Sequence, residues 1–327
     1  MSDPQSAEGR QTLGDVGEFG VINALRSRLT GSPLLDVGPG DDAAVLRVPD
    51  GRVVVTTDTL IDRVHFRTDW AGPYDIGRRA AATSLADISA MGATATGLLV
   101  ALSAPATQEL DWTMKLAQGI SDEADLVGAA VVGGDLTRAP TVAVTVTAMG
   151  DLAGRSPVLR SGARPYDIVA IAGRLGWAEA GLAVLARGFN SPRALVNAYR
   201  HPEPPYDRGP AAAQAGATAM ADVSDGLLGD LSHIARASGV VAHLESDLFE
   251  VADPLAAVAA AYGTDPMIWI LTGGQDHALV ATFDRGQPLP EGFYAVGHIE
   301  PQDESKASDR VLVDGAVFSA GPGYRHF

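Results

Sequence analysis

The sequence contains 327 residues, of which 46% are hydrophobic, so it is long enough for two ordinary domains and has the composition of a globular protein. Its net charge of −16 argues against nucleic-acid binding through a broad basic face, and its lack of cysteine excludes disulfides, thiolate metal sites and a cysteine nucleophile. No apolar run approaches the roughly 20 residues that span a bilayer, and residues 1–15 lack signal-peptide features, so we expect a disordered lead-in there, a cytoplasmic location and no membrane association.

Arginine supplies almost all of the positive charge. Of the 24 basic residues, all but Lys115 and Lys306 are arginine, and neither lysine follows a glycine-rich loop. A Walker-type P-loop requires Gly-Lys-Ser/Thr, so this motif is excluded. If the protein binds phosphates, it does so with arginine, backbone amides or metal ions.

Helical and strand-like patterns alternate through the first half of the chain. Apolar residues at helical spacing predict helices, which cover residues 17–29, 75–92 and 107–128. Runs of β-branched or alternating residues predict strands at residues 52–60, 96–102, 130–134 and 141–152. The first of these strands is expected to end at Asp58.

The pattern starts again after a loop rich in Pro, Gly and Arg. We predict helices at 177–188 and 227–239, and strands at 167–173, 217–223, 267–283, 293–299 and 310–315. A boundary near residue 150 separates a domain at 16–150 from a domain at 151–327. Both halves mix helices and strands, so the predicted fold class is α/β (α+β) with two domains.

Acidic residues follow small residues where several of the predicted strands end. The examples are Asp41, Asp42, Asp58, Asp135 and Asp225. Each aspartate alone is most simply a turn residue, because Asp hydrogen-bonds its own backbone in turns.

Asp87 differs from these residues, because it lies within an alanine-rich helix, where its neighbours favour burial. Taken together, the aspartates predict a site for a hard cation, since Mg²⁺ prefers carboxylate oxygens together with substrate phosphates. Without a cation, their mutual repulsion would cost several kcal/mol at ~4 Å separation.

Seven motifs occur in an order that resembles the thiamine-monophosphate kinase family, within the superfamily that includes aminoimidazole ribonucleotide synthetase. The motifs are GDDAAV, TTDTLIDRVHF, ADISAMGA, VVGGDLTR, LRSGARP, VSDGLLGDL and GGQDHAL. Any one of them is weak, but seven in the same order and spacing are specific. The resemblance covers nearly the whole chain.

The resemblance implies a role for each residue that matches a family motif. The implied Mg²⁺ ligands are Asp42, Thr56, Thr57, Asp58, Asp87, Asp135, Asp222 and Asp225. The implied ATP contacts are Gly134, Arg160 and Ser224, and the implied substrate contacts are His65, Gln275 and Tyr324. His233 and His277 match no functional position and are interpreted as structural.

The family's reaction transfers a phosphoryl group in line from ATP to thiamine monophosphate, which gives thiamine diphosphate. Several Mg²⁺ ions supply positioning and charge neutralisation, so no catalytic acid–base pair is expected. The resemblance also implies a homodimer whose N-terminal sheets pair, and an N-terminal domain that binds ATP and metal.

Three positions depart from the family pattern: Gln275 replaces Glu, Ser84 replaces Asn, and Tyr166 replaces Gly. Two alternatives stay open. One is another ATP-using enzyme of the superfamily, and the other is a non-catalytic regulator that binds thiamine phosphates or nucleotides.

Overall fold

The computed structural model describes residues 11–29, 31–39, 43–302 and 310–319. Most of the predicted lead-in, together with Asp41, Asp42 and Tyr324, lies outside these ranges. The backbone forms two compact units. The first comprises the chain up to Ser84 together with Ala95–Gly150, and the second comprises Leu85–Thr94 together with the chain from Asp151 onward.

The first unit combines helices with a small sheet. Its helices are α1 (Leu13–Val16), α2 (Glu18–Arg26), the N-terminal part of α3 (Pro73–Ala90) and α4 (Leu110–Asp125). Its strands are β1 (Leu35–Val37), β2 (Val45–Leu46), β3 (Val54–Ile61), β4 (Thr94–Ala104), β5 (Ala130–Arg138) and β6 (Ala143–Asp151). Strands β1 and β2 pair with each other, and the other four form a sheet in the order β3-β6-β4-β5.

Two glycines allow α3 and α4 to pack closely. A Cβ atom at Gly77 would lie 2.1 Å from the carbonyl oxygen of Leu116, and one at Gly119 would lie 2.1 Å from the carbonyl oxygen of Tyr74. Since no side chain fits at such distances, the helix backbones touch directly at these points.

Alternate residues of the four-stranded sheet are buried, as expected for a sheet covered on one face. Val144, Val146 and Ala148 of β6 are fully buried. The other face carries exposed apolar side chains, including Val55 at 61% exposure and Leu99 at 38%. Within the described residues, the first unit thus has one packed sheet face and one open, partly apolar face.

The second unit is built on a six-stranded sheet. Its strands are β7 (Ile168–Ala172), β8 (Ala219–Val223), β9 (Val240–Leu244), β10 (Ala278–Phe283), β11 (Phe293–Pro301) and β12 (Val311–Val313), in the order β12-β9-β11-β7-β10-β8. All neighbouring pairs are antiparallel except β12 with β9. The helices are α5 (Trp177–Ala186), α6 (Arg193–Arg200), α7 (Arg208–Gln214), α8 (Leu227–Ser238), α9 (Asp253–Tyr262) and α10 (Pro266–Thr272).

The core of the second unit is formed by small and large apolar residues that alternate along the sheet. Phe283 and Phe293 pack edge to face with ring centroids 5.3 Å apart, against Ala170, Met220 and Leu279. The predicted α/β class is confirmed by this mixture of helices and sheets.

The structure corrects three predictions about local structure. Strand β3 continues to Ile61, and β5 continues to Arg138, so Asp58 and Asp135 lie within strands rather than in turns after them. Residues 266–272 form helix α10 instead of a strand. The reason is local capping, because the Asp265 carboxylate accepts a hydrogen bond from Met267 N at 2.9 Å and Pro266 occupies the first turn.

Among the described residues, no single helix is both long and apolar enough to cross a bilayer. Helices α9 and α10 reach that length and composition only together, and they are bent by 117° at the break between them.

Candidate active site

Asp58 of β3 is held by a serine from α3. Ser84 Oγ donates to Asp58 Oδ2 at 2.8 Å and also lies 3.0 Å from the carbonyl oxygen of Val146. Ser84 is fully buried, so this contact fixes the carboxylate on the packed face of the sheet. The shorter serine at the position of the family's asparagine therefore still has a direct partner in the site.

The two threonines predicted as metal ligands lie on different faces of β3. Successive residues of a strand point to opposite sides, so Thr56 shares the face of Asp58 whereas Thr57 does not. Thr57 Oγ1 instead lies 3.0 Å from Thr147 Oγ1 on the neighbouring strand. The structure thus brings the Thr56 hydroxyl, but not that of Thr57, to the face of the Asp58 carboxylate.

Gly134 and Asp135 lie within β5. A Cβ atom at Gly134 would lie 2.0 Å from the carbonyl oxygen of Val100, so the close approach of β4 requires glycine there. The exposed Asp135 accepts a hydrogen bond from Thr137 Oγ1 at 2.6 Å. Asp58 and Asp135 occupy the two edge strands of the sheet, with β6 and β4 between them.

His65 folds back onto the end of β3. Its Nδ1 accepts a hydrogen bond from Ile61 N at 3.1 Å. In the neutral ring, the proton therefore resides on Nε2. The ring is partly exposed. The hydrogen bond from the backbone defines both its orientation and its neutral tautomer.

Asp87 and Arg160 belong to the second unit. Asp87 is partly exposed, although its neighbours Ala86 and Ile88 are buried, so the burial that the sequence favoured is only partial. Arg160 is exposed in the 3₁₀ turn Arg160–Gly162, where its carbonyl oxygen accepts a hydrogen bond from Ser238 Oγ at 2.9 Å.

The turn between β8 and α8 concentrates carboxylates. Asp222 is buried near the end of β8, Ser224 and Asp225 form the turn, and Asp230 lies in the first turn of α8. Asp230 Oδ2 accepts hydrogen bonds from the backbone N–H groups of Ser224 and Asp225, both at 3.0 Å. The Asp230 carboxylate thus positions two predicted functional residues, Ser224 and Asp225.

The electrostatics of this turn are dominated by negative charge. Burial, and then the neighbouring carboxylates of Asp222 and Asp225, raise the pKa of Asp230 to about 7. Burial and the positive charges of Arg160 and Arg236 lower the pKa of His233, whereas Asp225 opposes that shift. Arg160 and Asp225 therefore both act on the His233 ring.

The segment 275–277 packs against the turn between β8 and α8. Gln275 N donates to the carbonyl oxygen of Ser224 at 2.8 Å, and Gln275 has a left-handed backbone with φ 71°. His277 is fully buried, and its Nδ1 lies 3.2 Å from Asp222 Oδ2. Burial raises the pKa of Asp276 to about 7, while its Oδ1 accepts a hydrogen bond from Ala178 N at 2.9 Å.

Several supporting residues were missed from the sequence. Asp230 and Ser84 were not assigned roles, and for His277, which was interpreted as structural, the contact with Asp222 was not foreseen. Asp230 had one usable signal, since an acid in the first turn of a helix is placed to accept from free backbone N–H groups. Ser84 and His277 had none, because their partners are distant in sequence.

Comparison with known proteins identifies the family of this chain. Residues 40–152 match the family model of the N-terminal domain of AIR synthase related proteins, and residues 179–306 match that of the C-terminal domain. A thiamine-monophosphate kinase from Mycobacterium tuberculosis H37Rv is 46% identical, in an alignment that covers 99% of this chain and 96% of that protein. The chain belongs to the thiamine-monophosphate kinase family.

Solved structures of thiamine-monophosphate kinases have the same fold. The enzyme from Stenotrophomonas maltophilia K279a is 31% identical with a TM-score of 0.80, and the match covers 92% of this chain and 98% of that one. A structure of AaThiL in complex with AMPPCP and TMP is 27% identical with a TM-score of 0.79, covering 98% and 100%. The family predicted from the motifs and the two-domain α/β fold predicted from the pattern of helices and strands are confirmed, and the protein is a kinase.

Proposed function

We propose that this thiamine-monophosphate kinase transfers the terminal phosphoryl group of ATP in line to thiamine monophosphate, with Mg²⁺ held by its aspartates. The observation that carries the proposal is the 46% identity along nearly the whole chain. The grouping of carboxylates on the turn after β8 supports it. AaThiL, whose match covers 98% of this chain, has been solved in complex with AMPPCP and TMP.

The donor set of the second unit fits Mg²⁺. Asp222 and Asp225 provide carboxylate oxygens, which this ion prefers. Their negative charges contribute to the raised pKa of Asp230, so a divalent cation would offset a repulsion that the fold itself creates. The donors proposed in the first unit are Thr56, Asp58 and Asp135. Asp87 is a further proposed donor of the second unit.

The residues of the chain supply positioning rather than acid–base chemistry. When bound, Mg²⁺ would neutralise the charge of the transferring phosphoryl group. Ser84 holds Asp58, the Asp230 carboxylate orients Ser224 and Asp225, and the backbone N–H of Ile61 orients the ring of His65. Because the acceptor phosphate is already ionised at neutral pH, no general base is required.

The sheet of the first unit supports a homodimer. Strands β3 and β5 are its edges, and one face carries exposed Val55 and Leu99. Two such sheets could close on each other, β3 beside the partner's β5, and both open edges and the apolar faces would then be covered. The proposal places the dimer in the cytoplasm, where ATP is available.

A coupled assay of ADP release with ATP, Mg²⁺ and purified full-length protein tests the reaction. We expect release that depends on thiamine monophosphate and stops when Mg²⁺ is chelated. Stronger turnover with another phosphate acceptor in a substrate panel would assign a different reaction of the superfamily. Tight binding of thiamine monophosphate without ADP release would contradict the catalytic proposal.

A further inference from the structure

Strands β9 and β11 bring two histidines and two glutamates together away from the carboxylate site. His243 and His298 are directly opposite each other in the antiparallel register. Glu300 follows two residues after His298, and Glu245 two residues after His243, so all four side chains lie on one face. The neighbours in register are Leu312 of β12 and Ile168 of β7, which flank the pair with apolar side chains.

The two imidazoles are arranged like ligands of one ion. Their rings are stacked with centroids 5.3 Å apart and an angle of 13° between the planes. His243 Nε2 lies 3.0 Å from Glu300 Oε2, and His298 Nε2 lies 3.4 Å from Glu300 Oε1. A tetrahedral Zn²⁺ with bonds of about 2.1 Å keeps its ligand atoms roughly 3.4 Å apart. One ligand atom from each of His243, His298 and Glu300 lies within 4.8 Å of the other two, so small side-chain adjustments would bring all three around one ion.

A further carboxylate lies near one of these rings. Glu245 Oε1 lies 3.5 Å from Nδ1 of His298, which leaves Nε2 of that ring directed to Glu300. Histidines that bind metals usually have such a partner on their second nitrogen, because it fixes the tautomer and the ring orientation.

The partial exposure of these side chains also suits a metal site that solvent can reach. The side chain of His243 is 20% exposed, and those of His298 and Glu300 are 43% and 47% exposed. Gly297, next to His298, admits no side chain, because a Cβ atom there would lie 1.9 Å from the carbonyl oxygen of His243. The close strand approach thus holds the two rings together, while one side stays accessible for an ion and a water ligand.

We propose that His243, His298 and Glu300 form a binding site for a transition-metal ion of the Zn²⁺ class, with Glu245 as the positioning residue. Two imidazoles and one carboxylate form a ligand set that Zn²⁺ accepts, whereas Mg²⁺ prefers oxygen ligands alone. The ion would join the side chains of β9 and β11 and stabilise this part of the sheet. The site is independent of the kinase reaction proposed above.

The test uses the full chain, treated with a chelator and then kept in excess Mg²⁺, so that hard-cation sites are filled. Zn²⁺ is titrated by calorimetry, and Co²⁺ is titrated while its visible absorption is recorded. We expect one ion per chain, Co²⁺ absorption bands of tetrahedral intensity, and a melting temperature that rises with Zn²⁺ concentration.

Variants decide whether His243, His298 and Glu245 are responsible. His243→Gln and His298→Gln should each abolish the Co²⁺ bands, and Glu245→Gln should weaken Zn²⁺ binding by about 10-fold. His201 lies outside the cluster, so His201→Gln should leave the Co²⁺ bands and the Zn²⁺ affinity unchanged. The proposal is overturned if the parent chain binds no Zn²⁺ in excess Mg²⁺, or if a folded His243→Gln/His298→Gln double variant retains the stoichiometry.

Discussion

The positions of Asp58 and Asp135 make a specific prediction about which subunit each one serves. They lie on β3 and β5, the two edges of a sheet in which β6 and β4 intervene. Neighbouring strands are about 4.8 Å apart, so the two edges are separated by roughly 14 Å. Ligand oxygens on one Mg²⁺ are at most about 4 Å apart, because each lies ~2.1 Å from the ion.

Two short side chains on the edges of one sheet are therefore too far apart to share an ion. If two copies pair edge to edge, however, Asp58 of one copy lies on the strand next to the partner's Asp135. We expect the two carboxylates to serve one composite active site in this way, each on its own face of the sheet. Asp58→Asn and Asp135→Asn should each reduce turnover on the order of 10²-fold or more, with the fold intact.

A heterodimer of the two single variants separates the possibilities. The two chains are co-expressed with different tags, purified by both tags, and assayed for ADP release. If each site combines Asp58 of one chain with the partner's Asp135, one site carries both substitutions and the other carries none. The heterodimer should then recover about half of the parent activity.

The control carries Asp58→Asn and Asp135→Asn on one chain, paired with an unmodified chain. Each shared site then has one substitution, so this heterodimer should be almost inactive. The reasoning is refuted if the outcomes are reversed, with the double-variant heterodimer half active and the heterodimer of single variants inactive. It is refuted as well if the active parent is monomeric.

Three further substitutions test other contacts. Gln275→Glu should tighten thiamine-monophosphate binding about 5-fold in calorimetry, because a carboxylate attracts the cationic substrate; unchanged or weaker affinity would show that this position does not set it. Ser84→Ala should lower the free energy of unfolding in urea by about 1–3 kcal/mol, because the hydrogen bond from the buried Ser84 hydroxyl to Asp58 is lost; a change below about 0.5 kcal/mol would contradict this. Because burial raises the pKa of Asp276 to about 7, the folded chain retains a proton that the unfolded chain releases, and stability falls as pH rises from about 4 to about 7. The Asp276→Asn side chain still accepts a hydrogen bond from Ala178 N. The free energy of unfolding of this variant should equal that of the parent near pH 4 and exceed it by about 4 kcal/mol at pH 8. Equal melting curves for the two proteins at both pH values would refute this.

Short-range patterns were sufficient for most elements but not for all. The apolar periodicity predicted α3 and α8 within a few residues, because helical spacing is a property of neighbouring positions. The same reasoning failed at residues 266–272, whose apolar run is compatible with either a strand or a buried helix. The cap formed by Asp265 and Pro266 decided for the helix.

The sequence pattern also failed to predict where the strands end. Glycine and aspartate in VVGGD suggest a turn, yet β5 continues through them because β4 pairs with it as far as Arg138. The pairing strand supplies the hydrogen bonds, and this outweighs the local preference of Gly and Asp for turns.

The sequence by itself determined the order of the elements, the family and the residue types available for phosphoryl transfer, because these follow from neighbouring residues and motif spacing. Only the tertiary structure decided which groups meet. Ser84 and Asp58 are separated by 26 positions, and His277 and Asp222 by 55. Burial and charge interactions depend on such distant segments coming together, so the raised pKa of Asp230 and the placement of Asp58 and Asp135 on opposite edges of one sheet arise only in the fold.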